Sequence, residues 1–297
     1  MPIVLTPPQL IEIVGPEAVA FAQAQFSSDV LALTNGHWQW SAWLSAQGRV
    51  RAFFHLLRDN DERLRLILRG GSAARTRDAL ARYVFRSKLQ LGVIEDMNAY
   101  LIEARGDSPA SANLPIATSI ETSEQGTCIA LPGHAPRWLW LRDTGAAPIV
   151  AQDSEVARNR GALADIDAGL VTLDAALEDR LLPAWIGLSD LLATSVSKGC
   201  YPGQEVVARL HYKGGNKRWL HRIAFNADSL PAPGTALGAQ GDRDDQARGM
   251  IVSSAWAGEG TCAALAVLRE TDSSDMSALS SPTIEVHSVR KIVPQRI

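Results

Sequence analysis

Trp38 and Trp40 stand two residues apart, and Leu64, Leu66 and Leu68 alternate with arginines. A period of two places these side chains on single faces of β-strands. The run Val50–Leu57 between them predicts a further strand, set off by turns at Ser45-Ala46-Gln47-Gly48 and Asn60-Asp61-Glu62. Upstream, Leu10, Ile11, Ile13 and Val14 predict a strand. Gly15-Pro16-Glu17 then predicts a helix start, running to about Phe26. Ser72 can cap a helix carrying Leu80, Tyr83 and Val84, Trp138–Leu141 reads as a strand, and Leu173, Leu177 and Leu181 mark a short helix stopped by Pro183. Strands and helices therefore mix in the first two thirds, an α+β pattern. After about Leu220 the apolar runs are short and β-like (Ile223–Phe225, Met250–Val252, Ala263–Leu268 and Ile284–Val289), separated by Pro/Gly/Ser-rich stretches. They predict a small barrel or sandwich of roughly 75 residues.

A chain of 297 residues has room for two or three packed units, and 46% hydrophobic with 21% charged residues is an ordinary globular balance. The net charge of −3 provides no global field for nucleic acid or membrane, and no apolar run approaches a bilayer span. The opening residues lack the features of a signal peptide. Cys128, Cys200 and Cys262 lie far apart without metal-ligand spacing, so neither a disulfide framework nor a metal site is expected. These features predict a cytoplasmic protein. Trp38, Trp40, Trp138 and Trp140 read as core.

The stretch richest in chemistry is Lys198-Gly199-Cys200-Tyr201-Pro202-Gly203-Gln204-Glu205, continuing to Arg209. Pro202-Gly203 suits the centre of a type II turn. From Gln204 to about His211 the pattern is helical, with Val206, Val207 and Leu210 on one face and Glu205 and Arg209 one turn apart. Cys200 thus precedes a helix start and lies two residues from Lys198, and both features favour a thiolate. The bland alternative is a small buried apolar residue. Glu205 reads equally as an ion-pair partner of Arg209 or as a ligand contact, and Lys198 as stabilising the thiolate or touching a ligand. Between Lys198 and Arg222 six Lys/Arg face the single Glu205, either a solvated basic face or a seat for an anion.

Lys-Gly-Cys-Tyr-x-Gly-Gln-Glu resembles the signature of the YgfZ family, folate-binding relatives of the glycine-cleavage T-protein (aminomethyltransferase). Val207-Ala208-Arg209 and Gly215-Asn216-Lys217-Arg218 extend the match. Gln23, Gln25, Asp29 and Val30, then Gly48-Arg49-Val50, Tyr83–Lys88 and Ile166-Asp167-Ala168-Gly169 are also similar to family segments.

The resemblance implies ferredoxin-like α+β units forming a T-protein-like folate-binding region over residues 1–219, and a small β-barrel over 220–297. It implies tetrahydrofolate, or a one-carbon derivative, as cofactor. It also implies a role in assembly or repair of iron–sulfur clusters in client enzymes, including those that modify tRNA, with Cys200 and Lys198 as working residues. The partners would be iron–sulfur enzymes or cluster-assembly proteins, with no direct nucleic-acid or membrane binding. Tyr201, Gln204, Glu205, Arg209, Asp167, Lys217 and Arg218 are the expected cofactor contacts, the basic ones (with Lys213) for the glutamyl tail. The alternative is a folate-dependent one-carbon transferase. Against it, the aspartate that T-proteins carry after the first-half glycine turn is missing from Gly48–Phe54. Their pterin-holding glutamate also lacks a counterpart near Ala130–His134, which leaves Glu205 and Asp167 as candidate acids.

Overall fold

The strands read from periodicity between Trp38 and Leu68 are three neighbours, from one edge to the middle, of a five-stranded antiparallel sheet. In this computed structural model, residues 1–103, 118–238, 248–269, 279–280 and 284–297 are described. The first sheet runs β3 (His37–Leu44), β4 (Val50–Asn60), β5 (Arg63–Leu68), β2 (Leu10–Val14), β6 (Gln90–Ile94). Its alternation separates two cores. Phe54, Leu56, Leu64 and Leu66 face helices α1 (Ala18–Gln25) and α2 (Ala73–Ala81), burying Phe21, Phe26 and Leu80. Trp38, Trp40, Phe53, Leu57 and Ile67 face the opposite way into a central core.

The second sheet, β1 (Ile3–Val4), β7 (Met97–Glu103), β10 (Arg137–Asp143), β9 (Gly126–Leu131), β8 (Glu121–Ser123), contributes Leu101, Ile129, Leu139 and Leu141 to that core. Helix α3 (Glu155–Asp167) touches β1 but packs mainly against the strand Gly249–Gly258 of the C-terminal sheet, its first turn capped by Ser154 Oγ, which accepts from Ala157 N at 3.2 Å. The third sheet, β12 (Ala236–Leu237), β13 (Gly249–Gly258), β14 (Thr261–Arg269), β11 (Arg218–Asn226), β15 (Glu285–Lys291), gathers the C-terminal β-like runs. Its middle strand β14 is buried on both faces: Ala263, Leu265 and Val267 join the central core, while Ala264, Ala266 and Leu268 pack with Phe225 and Ile251 on the other side.

The fold is thus mixed and strand-rich. Several elements differ from the sequence expectation. Leu173, Leu177 and Leu181 are buried, but the segment forms only a 3-10 turn, Ala175–Leu177, because the central core collects the leucines without needing a continuous helix. Helix α2 stops before Tyr83 and Val84. Helix α3 has no clear apolar period to announce it; it buries only Ala157, Gly161 and Ile166. Part of the uninformative stretch from Glu103, residues 104–117, lies outside the described residues. Among the described residues no helix is long and apolar enough to cross a membrane.

Candidate functional site

The Pro202-Gly203 turn forms as read. Gly203 takes φ 79°, ψ 1°, and Gln204 N donates to Tyr201 O at 3.2 Å, the geometry of a type II turn that opens directly into α4 (Gln204–Lys213). A Cβ at Gly203 would lie 2.6 Å from Ser45 O and 2.7 Å from Gly48 Cα, and one at Gly48 2.7 Å from Val206 Cβ. The β3–β4 turn therefore docks on the start of α4 through two bare glycines. Gly199 differs: nothing lies within 4 Å of its hypothetical Cβ.

The chain before the turn is strapped to residues 26–28, which follow α1. Ser195 N donates to Ser27 O at 2.7 Å, and Ser27 Oγ donates to Ala193 O at 2.6 Å. Lys198 is buried, and its Nζ donates to Phe26 O (2.6 Å) and Ser28 O (2.8 Å), lying 4.9 Å from the Tyr201 ring. The Tyr201 hydroxyl donates to Ser195 O at 2.8 Å, and Gln204 Nε2 donates to Lys198 O at 3.2 Å. Nearby, Gln23 holds Asp29 and the Val30 amide. Three segments that carry the family resemblance thus converge on one tightly bonded knot. Cys200 emerges from it exposed and unbridged, whereas Cys128 and Cys262 are buried in β9 and β14.

Burial lowers the Lys198 pKa to about 8, opposed by the Asp29 charge. Between about 8 and the ordinary 10.5 the unfolded chain binds a proton that the folded chain has released, so this group makes stability rise with pH across that window. Measured by urea unfolding, the stability of the wild type relative to Lys198→Met is expected to increase through the window. A pH-independent difference would contradict the buried charge.

A large cavity, about 590 Å³, lies between the first and second sheets and α3. Its walls are apolar (Ile67, Leu101, Leu131, Leu139), with Arg69, Asp165 and His55 among them. Asp165 pairs with Arg69 (2.7 Å) and Arg137 (2.6 Å). His55 is fully buried, its ring 4.0 Å from that of Trp40 and beside the Ile67 backbone. Burial, and secondarily the Arg69 charge, hold its pKa well below the usual histidine range, so it is neutral. Trp38 and Trp40 pack in the core as expected, and both also border a hollow of about 310 Å³.

The other expected contacts fall in three places. Tyr201 and Gln204 belong to the knot. Asp167 is taken by Arg222 of β11 at 2.7 Å, and Glu205 is exposed on α4 without forming the pair with Arg209. Neither acid lines the large cavity; Asp165, two residues before Asp167, does. Arg209, Lys217 and Arg218 come together with Trp185 and Arg269 in a separate hollow of about 470 Å³. Sequence reasoning missed His55, Asp165 and Trp185. The one available signal was a titratable residue inside the apolar run Phe53–Leu57. Among the described residues no three His, Cys, Asp or Glu side chains gather as metal ligands.

No family model matches the chain. It is 29% identical over 279 residues to the tRNA-modifying protein YgfZ of Yersinia pestis (strain Pestoides F), covering 90% of this chain and 83% of that protein. To the tRNA-modifying protein YgfZ of Photorhabdus laumondii it is 28% identical over 297 residues, covering 95% and 85%. Among solved structures, the glycine cleavage system aminomethyltransferase T from Bartonella henselae matches with a TM-score of 0.73 over 99% of this chain and 86% of that chain, at 16% identity. That likeness shows a T-protein-like fold.

Proposed function

Taking this chain as a homologue of the YgfZ proteins, we propose that it is a tetrahydrofolate-binding accessory protein of the cytoplasm. It serves assembly or repair of iron–sulfur clusters in client enzymes, tRNA-modifying ones among them, and uses Cys200. The observation that carries this reading is the setting of Cys200, the one exposed cysteine of three, presented by a turn that is hydrogen-bonded to the body of the protein. Lys198 works here by holding the turn, since its ammonium is committed to two backbone carbonyls. In this reading residues 1–219 are ferredoxin-like units and 220–297 a barrel domain.

The large cavity suits the cofactor. Its volume of about 590 Å³ is in the usual range for small-molecule sites. Apolar walls suit a flat pterin, and a carboxylate can accept two hydrogen bonds from the pterin's amino and N3–H edge. We assign this role to Asp165, which lines the cavity; each of its oxygens pairs with an arginine, Arg69 or Arg137, and keeps a second lone pair for the pterin. Bound as a one-carbon derivative, the folate would supply a one-carbon unit, and as tetrahydrofolate it would accept one. The chain's own part is to bind the pterin and exclude water around it. A transferase reading is not favoured: Gly48–Phe54 carries no carboxylate, and Val50 and Phe53 face the central core.

Titration of the purified chain with tetrahydrofolate is expected to give micromolar binding and a change in tryptophan fluorescence. Asp165→Asn should weaken binding by about tenfold, the cost of one charge-assisted pair. Circular dichroism should confirm that the variant is folded. Unchanged affinity in a folded variant would remove the large cavity from the reading, and absence of binding by the wild type would end it.

A further inference from the structure

Strand β3 is an outer strand of the first sheet, and its free edge is covered at both ends but not in the middle. Toward its start, Trp38 N donates to Thr118 O and Ile120 N to Gly36 O, each at 2.9 Å. Toward its end, Ala42 N donates to Ser27 Oγ at 3.1 Å, and Ser27 N donates to Ala42 O at 2.9 Å. In an antiparallel ladder one residue bonds to the neighbouring strand through both N–H and C=O, and the next turns both away. Trp38 and Ala42 turn theirs away from β4. The register is unbroken from His37 to Trp43, so Trp40 between them does the same. Among the described residues nothing bonds to the N–H or C=O of Trp40 on that side. Trp40 is only 5% exposed, and backbone groups of a buried residue call for a partner.

The hollow of about 310 Å³ opens along this stretch. Trp38, Gln39 and Trp40 line it together, Leu33 and Leu191 are buried walls, and Leu192 stands exposed at the rim. The gap suits a compact ligand and not a peptide strand. From Trp38 to Ala42 the edge runs about 14 Å, at about 3.4 Å per residue. Thr118 and Ser27 already hold its two ends, and an added strand would have to displace one of them.

We propose that this hollow is a binding site, separate from the large cavity, for a flat heterocycle that presents a hydrogen-bond donor and acceptor side by side, as the edge of a lactam ring does. The ring N–H donates to Trp40 O, the ring C=O accepts from Trp40 N, and the apolar walls cover the faces. The two sites share no lining residue. A volume of about 310 Å³ has room for a bicyclic ring with a substituent.

The test uses the full chain with inosine as probe, followed by calorimetry and by hydrogen exchange at backbone amides. Without inosine, the Trp40 amide is expected to exchange about tenfold or more faster than those of Gln39 and Ser41, which bond to β4. Saturating inosine should remove most of that difference. N1-methylinosine keeps the ring and carbonyl but lacks the donor, and should bind about tenfold more weakly. Ala32→Trp places a bulky ring at an exposed lining position and should abolish binding, whereas Val156→Trp, at an exposed position outside the hollow, should leave it unchanged. No inosine binding by the wild type, equal binding of the methylated probe, a Trp40 amide as protected as its neighbours without ligand, or equal effects of the two tryptophan variants would each overturn the proposal. A pterin has the same edge, but the large cavity also offers it an acid. Tetrahydrofolate should therefore leave inosine bound, and full competition between them would overturn a separate site. Only this last arm rests on the folate reading; should tetrahydrofolate not bind at all, that reading fails while the inosine results still decide the hollow.

Discussion

In cells lacking the native protein, Cys200→Ser is expected to leave iron–sulfur enzyme activity unrestored, while Cys128→Ala and Cys262→Ala restore it. Serine nearly preserves the size of the side chain but replaces a nucleophilic thiol with a hydroxyl that stays protonated at neutral pH. The side chain of Cys200 is exposed, so the exchange should cost little stability, within about 0.5 kcal/mol. Cys128 and Cys262 are poor candidates for chemistry. Burial, with the Glu121 charge second, pushes Cys128 up to about 12, and burial also raises Cys262. Iodoacetamide at neutral pH should therefore label Cys200 first. Full rescue by Cys200→Ser would sink the thiol hypothesis and reduce the signature to a structural turn.

Gly203→Ala should be among the most destabilising single changes in the signature. At φ 79° any other residue pays about 1–2 kcal/mol for the left-handed backbone. The new Cβ would also press on Ser45 O and Gly48 Cα, both backbone atoms that can yield only by moving the β3–β4 turn, adding about 1–3 kcal/mol. A lowered urea midpoint with an unchanged slope is the expected signature. Gly199→Ala, four residues earlier, should stay within about 0.5 kcal/mol, because its Cβ meets nothing and its φ is not positive. If Gly199→Ala nevertheless abolishes rescue in cells while remaining folded, the open space beside Cys200 is needed by something that approaches the thiol. Equal destabilisation by the two substitutions would contradict the packing described.

The parts legible in the sequence are those set by local physics. Period-two alternation marked β2, β3 and β5 because a strand must send successive side chains to opposite faces. Pro202-Gly203 announced its turn because one residue fixes φ and the other accepts a positive φ, whatever surrounds them. Ser72 capped α2 for an equally local reason. The exposure of Cys200 was not legible in this way, nor was the direction taken by Lys198. Sequence spacing sets the amine two residues from the thiol, but the tertiary structure brings residues 26–28 beneath it, and the carbonyls of Phe26 and Ser28 accept its hydrogen bonds.

The acids divide along the same line. Asp165 and Asp167 share one helix end and one residue type. The packing gives the first to Arg69, Arg137 and the cavity, and the second to Arg222 on β11. The basic hollow joins Trp185, Arg209, Lys217, Arg218 and Arg269, so no short window of sequence contains it. The sequence by itself determined the strands, the signature turn and the helix behind it, because backbone sterics and side-chain period act over a few residues. Only the tertiary structure decided which charges are paired, which histidine is buried and where the cavities open, because desolvation and Coulomb energies depend on neighbours in space.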